Sequence, residues 1–348
     1  MKRDDCLPTG DAAILTVVKR RSVLALLGAS SLSATLLSAK ALAQTPKPAR
    51  VGILIGGGSD ANDYALEAFR IGLRDQGFTE GRNLAIERQI DREGSEESLT
   101  HAARALAGWS PDVVLAANTP PVKTMRLAAP DVPIVMVAIG DPVGSGLVAS
   151  LARPGGRTTG LSGLDAELTG KRLELLKEVA PGTTKVGLLA SPDNPVFAVQ
   201  LRNAEMAAKA TGVELLRQDV RRTSELDDAV AAIVRRGGAA LLRLDGFRSA
   251  DALQKLGALT TRYRLPFCGD RLLEVRGGLL MSYGPNVAAE FRQAAGIVGR
   301  ILHGADPATL PVESPLRFEL ALNEATAKKL GLVFPAAVRA RANAVIDF

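Results

Sequence analysis

The sequence predicts an α/β protein made of two lobes of similar topology, each built on a parallel sheet. Three observations carry this. Short β-rich runs alternate with amphipathic helical stretches along the chain. Most of the runs are apolar, which suits strands covered by helices on both faces rather than strands with a wet side. The pattern then starts again: Lys185-Val-Gly-Leu-Leu189 matches Arg50-Val-Gly-Ile-Leu54, and Gly212-Val213 matches Gly77-Phe78 at the same offset.

Taken in order, Val51 to Ile55 reads as a buried strand. Asn62 to Gln76 puts Leu66, Phe69 and Leu73 on one helical face, with Gly77 as a stop. Leu84 to Gln89 is a second strand, and Ser95 caps a helix with an apolar stripe of Leu99, Ala102, Ala103 and Leu106. Asp112 to Ala116 and Pro133 to Val137 are further strands, joined by a short helix from about Lys123 to Ala129. In the second lobe, Leu265-Pro-Phe-Cys-Gly-Asp270 echoes Val132-Pro-Ile-Val135 and then Gly140-Asp141. The glycine-rich stretch from Gly144 to Gly160 has no full helical repeat and reads as a crossover and hinge. Gly277 to Gly284 reads as a strand that crosses back. A few such crossings allow a cleft to open and shut.

Before this frame stands a leader. Lys19-Arg20-Arg21 precedes the apolar Ser22-Val-Leu-Ala-Leu-Leu27, and Ala41-Leu-Ala43 offers small residues for cleavage, so residues 1–43 read as a removable signal peptide. Gly28, Ser30, Ser31 and Ser33 dilute the apolar run too far for a membrane anchor. The paired arginines suit the twin-arginine route, and general secretion fits as well. The leader holds half of the net charge of +6, so the remainder is only mildly basic. With aromatics at 4% and Trp109 as the single tryptophan, neither a phosphate-binding field nor a base-stacking platform is evident, which argues against nucleic acid. Cys6 departs with the leader and Cys268 is left alone, so the fold must stand on its core without an internal disulfide.

Ligands of open α/β sheets bind beyond the carboxyl ends of the strands. Here those ends carry Ser59, Thr119 and Asp141 in the first lobe, and Asn194, Asp245 and Asp270 in the second. Loops entering helices expose unpaired N–H groups that suit a carboxylate, and an aspartate across the cleft suits an ammonium. A zwitterion such as an amino acid would use both. Residues of these types also serve as helix caps, and it is their recurrence at one end of both sheets that singles them out. Tyr283 either stacks on a ligand or fills the hinge core. Gly56-x-Gly58-x-x-Ala61 follows a strand and opens a helix, as a dinucleotide fingerprint does, with Asp91 standing in for the ribose-binding acid at about 30 residues on, later than the usual ~20. No acid/base pair accompanies it, so a nicotinamide oxidoreductase remains the alternative. His101, His303 and Cys268 lack metal-ligand spacing, and no nucleophile elbow or phosphate loop is present, so neither a cofactor nor a metal is expected.

Several ordered blocks carry a family resemblance. They are Asp141-Pro-Val-Gly-Ser-Gly-Leu-Val-Ala-Ser-Leu-Ala-Arg-Pro-Gly-Gly156, Thr159-Gly160, Lys171-Arg-Leu-Glu-Leu-Leu-Lys-Glu178, Gly277-Gly-Leu-Leu-Met-Ser-Tyr-Gly-Pro285, Leu310-Pro-Val-Glu-Ser-Pro315 with Phe318-Glu-Leu320, and Ala327-Lys-Lys-Leu-Gly-Leu332. The chain thereby resembles the periplasmic substrate-binding components of ABC transporters, in the group that includes tryptophan-type binding proteins. The resemblance implies two Rossmann-like lobes of type I periplasmic-binding architecture. It also implies a small organic solute such as an amino acid in the interlobe cleft, delivery to an ABC permease, and no enzymatic activity. The expected lobes are 48–162 plus about 286–312, and 163–284 plus about 315–348. The expected product is a periplasmic monomer. A ligand-binding sensory module is the other non-enzymatic alternative. The Asp141-Pro142 turn and the Ser282-Tyr283 strand carry over as parts of the cleft wall.

Overall fold

A computed structural model describes residues 47–56, 63–91, 95–163, 165–192, 196–244 and 249–348. The leader expected over residues 1–43, and Ser59, Asn194 and Asp245, lie outside the described residues. Pro48–Phe348 forms one compact unit.

The first sheet holds β1 (Ala49–Ile55), β2 (Leu84–Ile90), β3 (Val113–Ala117), β4 (Ile134–Ile139) and β5 (Thr158–Ser162), all parallel, in the order β2-β1-β3-β4-β5. Alternate residues of each strand serve opposite faces, as the pleat requires. Val51, Ile53 and Ile55 join Leu66, Phe69 and Leu73 of α1 (Asp63–Asp75) in one core. Leu54, Val114, Ala116 and Met136 join the Leu99, Ala103 and Leu106 stripe of α2 (Glu96–Gly108) in another. The Ser95 hydroxyl accepts the Ser98 N–H and caps α2 as its sequence signature predicts. At the amino-terminal edge of this sheet the Arg50 guanidinium lies 4.2 Å from the Trp109 ring centre.

Helix α3 (Thr119–Ala128) begins four residues earlier than Lys123. Pro120 and Pro121, read from sequence as loop, occupy its first turn, where a missing N–H costs nothing because that donor has no helical partner. Asn118 enters the helix at φ 74.

The second sheet holds β6 (Lys185–Ala190), β7 (Glu214–Asp219), β8 (Ala240–Arg243), β9 (Phe267–Gly269), β10 (Met281–Pro285), β11 (Phe318–Asn323) and β12 (Ala344–Ile346), in the order β12-β11-β10-β9-β8-β6-β7. Its segment β7-β6-β8-β9-β10 repeats the first sheet's order, and β6 sits where β1 does, as the sequence match predicts. Around it lie α4 (Asp165–Val179), α5 (Phe197–Thr211), α6 (Leu226–Arg235), α7 (Ala250–Arg262), α8 (Leu272–Arg276), α10 (Glu324–Leu330) and α11 (Ala336–Ala340). Between β10 and β11 the chain forms α9 (Val287–Leu302).

The chain passes between sheets just beyond the glycine-rich stretches that the sequence reading took for straps. The stretch from Gly144 to Gly160 is not a strap. Leu147 and Val148 bury themselves against the α2/α3 side of the first core, and Thr158 onward forms β5. The first crossing follows directly, at Gly163, whose N–H is bonded to Ile139. The strand at Ser282-Tyr283 is an interior strand of the second sheet rather than a strap, and the second crossing follows it at Pro285-Asn286. It leads into α9, whose Phe291, Ala294, Ala295, Ile297 and Val298 pack into the first half's core beside α1. Returning, Glu313 bridges to β5 through bonds with Gly160 and Ser162, and the chain enters β11. Because β10 ends at the crossing and β11 begins there, the two run antiparallel, the one such pair among the described strands.

Gly160 shows how tightly β5 seats. Its φ is +138, and a Cβ there would fall 2.1 Å from the Met136 carbonyl oxygen, a backbone atom that no rotamer change moves aside. Gly160→Ala is expected to cost about 2–3 kcal/mol in urea unfolding. Gly182→Ala, at a site with open space around it, is expected to change little.

Candidate functional site

The carboxyl ends of the parallel strands place Thr119 and Asp141 after the neighbouring strands β3 and β4. Asp270 follows β9 in the second half, and Tyr283 lies on the neighbouring β10. Backbone strain gathers at the first pair. Asn118 (φ 74) and Ala138 (φ 55) both hold left-handed conformations without being glycine, and the β4/β5 register shifts between Met136 and Ile139. Such strain persists where surrounding structure imposes it, commonly beside a ligand site.

The two halves touch at this edge. A Cβ on Gly140 would lie 2.7 Å from Cγ1 of Val196, the residue that opens α5. Arg276 on α8 sets its guanidinium 5.9 Å from the ring centre of Tyr64 on α1. The halves are thus in contact at this edge.

Asp141 and Asp270 follow topologically equivalent strands yet meet different surroundings. Asp141 is half-buried and accepts the Gly144 N–H at 2.7 Å, which closes its own turn. Gly144 is needed there, since a Cβ would fall 2.1 Å from the Asp141 carboxylate. Asp270 is buried, and its two oxygens face two guanidinium groups. Arg243, at the end of β8, binds one, and Arg271 Nε lies 3.5 Å from the other. Glu274 also binds Arg243, and its Oε2 accepts the N–H groups of Asp270 (2.7 Å) and Arg271 (3.1 Å). The charge of Asp270 is thus occupied in holding the β9–α8 loop.

Sequence reasoning missed the network that Arg243, Glu274 and Arg271 form around Asp270, which Arg271 extends to the buried Glu290 at 3.3 Å. One signal was present: Ala240-Leu-Leu-Arg243 is an apolar strand that ends on a charge, and a buried charge demands a partner. Tyr283 is half-buried, packs on the second half's core and stacks on Phe318 with ring centres 6.4 Å apart. Its carbonyl accepts a 2.7 Å bond from the buried Arg172.

Burial raises the Tyr64 phenol above its usual range, with Glu319 as the next contributor. Burial also raises Glu319, against the lowering effect of a hydrogen bond from Asn286. The fingerprint acid Asp91 accepts the Ser98 hydroxyl at 2.6 Å, which ties it to the start of α2. Gly58 and Ala61 lie outside the described residues.

A pair of mainly parallel sheets joined by three crossings is the type I periplasmic-binding fold, a frame for holding a solute between two halves. The family model for ABC transporter substrate binding proteins matches residues 50–346, and the chain belongs to that family. Among curated proteins it is 25% identical over 270 residues to a tyrosine-binding protein of Clostridioides difficile (strain R20291), covering 78% of this chain and 77% of that one. A crystal structure of a conserved domain protein from Vibrio cholerae matches with TM-score 0.77 and 26% identity, over 86% of this chain and all of the other. The ABC domain in complex with L-Trp from Streptococcus pneumonia matches with TM-score 0.78 and 23% identity, over the same shares.

Cys268 is buried in β9, and burial pushes its thiol up to about 12. The folded state keeps the proton, whereas an unfolded thiol loses it near its ordinary value of 9.0. The stability this contributes is full below that value and is lost as pH climbs toward about 12. Cys268 in native protein at pH 8 is expected to resist a thiol-alkylating reagent, and in denaturant to react fully. Both are read by mass.

Proposed function

We propose that this chain is the solute-capturing component of an ABC importer, exported from the cytoplasm, and that it holds an amino acid of the aromatic class between its halves without altering it. The observation that carries the reading is the meeting of two sets of strand ends across the cleft, at Gly140 and Val196, in a chain of this family. The ligands that name two similar proteins, tyrosine and L-Trp, support the aromatic class. The first half comprises the first sheet with α9, and the second comprises the second sheet with its own helices.

In this reading Ser59 and Thr119 donate hydrogen bonds to the ligand carboxylate beside helix N-termini. Asp245 takes the ammonium, and Asp141 shapes the wall through its turn with Gly144. Asp270, engaged by Arg243 and Arg271, positions the β9–α8 loop rather than meeting the ligand. Tyr283 contributes one face to the cleft wall while its stack on Phe318 holds it still. Closure follows from differential affinity, because a ligand that touches both halves binds the shut form better.

A thermal-unfolding screen of the twenty amino acids tests this. An aromatic amino acid at about 100 times its Kd is expected to add about 2.7 kcal/mol of stability, and to be recovered chemically unchanged. Asp245→Ala is expected to weaken that ligand by about 1.5–3 kcal/mol in calorimetry. A flat screen, or conversion of a bound compound, would overturn the assignment.

A further inference from the structure

A polar cluster sits astride the second crossing. Asn286, which caps α9 by accepting the Ala289 N–H at 2.8 Å, also donates to Glu319 on β11 at 2.7 Å. One turn into α9, Glu290 is 1% exposed, and its Oε2 lies 3.3 Å from Nη1 of Arg271. The same Nη1 lies 3.4 Å from the Pro285 carbonyl oxygen, at the crossing itself. Arg271 follows β9 and belongs to the second half, whereas α9 buries its apolar face in the first half's core. One guanidinium therefore touches a second-half carboxylate (Asp270), the crossing (Pro285) and a first-half helix (Glu290).

We propose that Arg271 is a positioning residue for closure, holding α9 in the shut arrangement through Glu290. The inference rests on the reading of the molecule as a two-lobed binder. Rotation of the first half about Pro285-Asn286 moves Glu290, which lies about 6 Å along the helix from that point, while Arg271 stays with the second half. A swing of a few tens of degrees carries the carboxylate out of contact. Separating an ion pair in a site that excludes water is costly, so the pair favours the shut form. The Arg276–Tyr64 contact at the cleft rim acts in the same sense. Neither contact needs a ligand, so the bias exists in the empty protein.

The test measures the distance between halves in full-length protein without ligand, carrying Cys6→Ser so that no other accessible thiol takes a label. Spin labels at Lys123→Cys on α3 and Arg202→Cys on α5, both exposed positions, report it, because buried Cys268 stays unlabelled. Arg271→Gln is expected to lengthen the mean distance and broaden its distribution, and Arg271→Lys, which keeps the charge, to restore most of the wild-type profile. Affinity for L-tyrosine is expected to fall about 5- to 30-fold in Arg271→Gln, mainly through faster dissociation. If Arg271→Gln does not fold, the isosteric Glu290→Gln is read in the same way. A wild-type distance distribution in a folded variant, or a dissociation rate equal to wild type with tyrosine bound, overturns the proposal. If no amino acid binds, the ligand-free distances still decide it, so its failure is separable from failure of the functional reading.

Discussion

Helix α9 belongs to the second half by chain connectivity and to the first by packing, and the shared cleft depends on that double allegiance. It emerges from β10, yet Phe291, Ala295 and Val298 lie in the core with Leu66, Phe69 and Leu73 of α1. The two helices approach closely because Gly72 has no side chain: a Cβ there would fall 2.6 Å from that of Ala295. Asp75 and Arg292 pair at 2.8 Å along the same seam. The seam is largely apolar, so by packing α9 is part of the first half. The second sheet is therefore joined to the first by short connections rather than by a broad interface, which is the condition for hinge motion.

The second half meets that hinge with charge rather than with apolar bulk. Arg243, Asp270, Glu274, Arg271 and Glu290 form a buried chain of ionic contacts from the end of β8 to α9. Buried ion pairs add little stability over apolar packing, but they demand particular geometry. Here they fix the β9–α8 loop beside the cleft. The equivalent loop after β4 is fixed by a carboxylate-to-backbone turn at Asp141 and Gly144. Duplicated topology has thus been finished by two different local devices.

What sequence could reveal follows from the range of the interactions concerned. The apolar central strands, the Ser95 cap, the stop at Gly77 and the β1/β6 match are local or periodic signals, and the structure follows them. The start of α3 was hidden because prolines at 120 and 121 read equally well as loop. Glycine content marks backbone freedom and not where a chain changes sheets: the stretch from Gly144 to Gly160, read as a hinge, packs in the first half, and the chain changes sheets just beyond it at Gly163 and again at Pro285-Asn286. The ionic network joins residues up to 47 positions apart, from Arg243 to Glu290, and no short window holds both ends. Of the candidate site, the edge of the sheets was legible. The neutralisation of Asp270 by Arg243 and Arg271 was not, because it depends on which side chains face one another.

The lone indole occupies the opposite end of the first sheet, beneath the Arg50 guanidinium and beside the start of β1. A chromophore placed there senses that edge rather than the strand tips, so its emission serves as an internal standard and not as a gauge of occupancy. Optical biosensors based on this scaffold would need a dye introduced at the rim of the cleft, with the native indole left as the reference channel of a ratiometric readout.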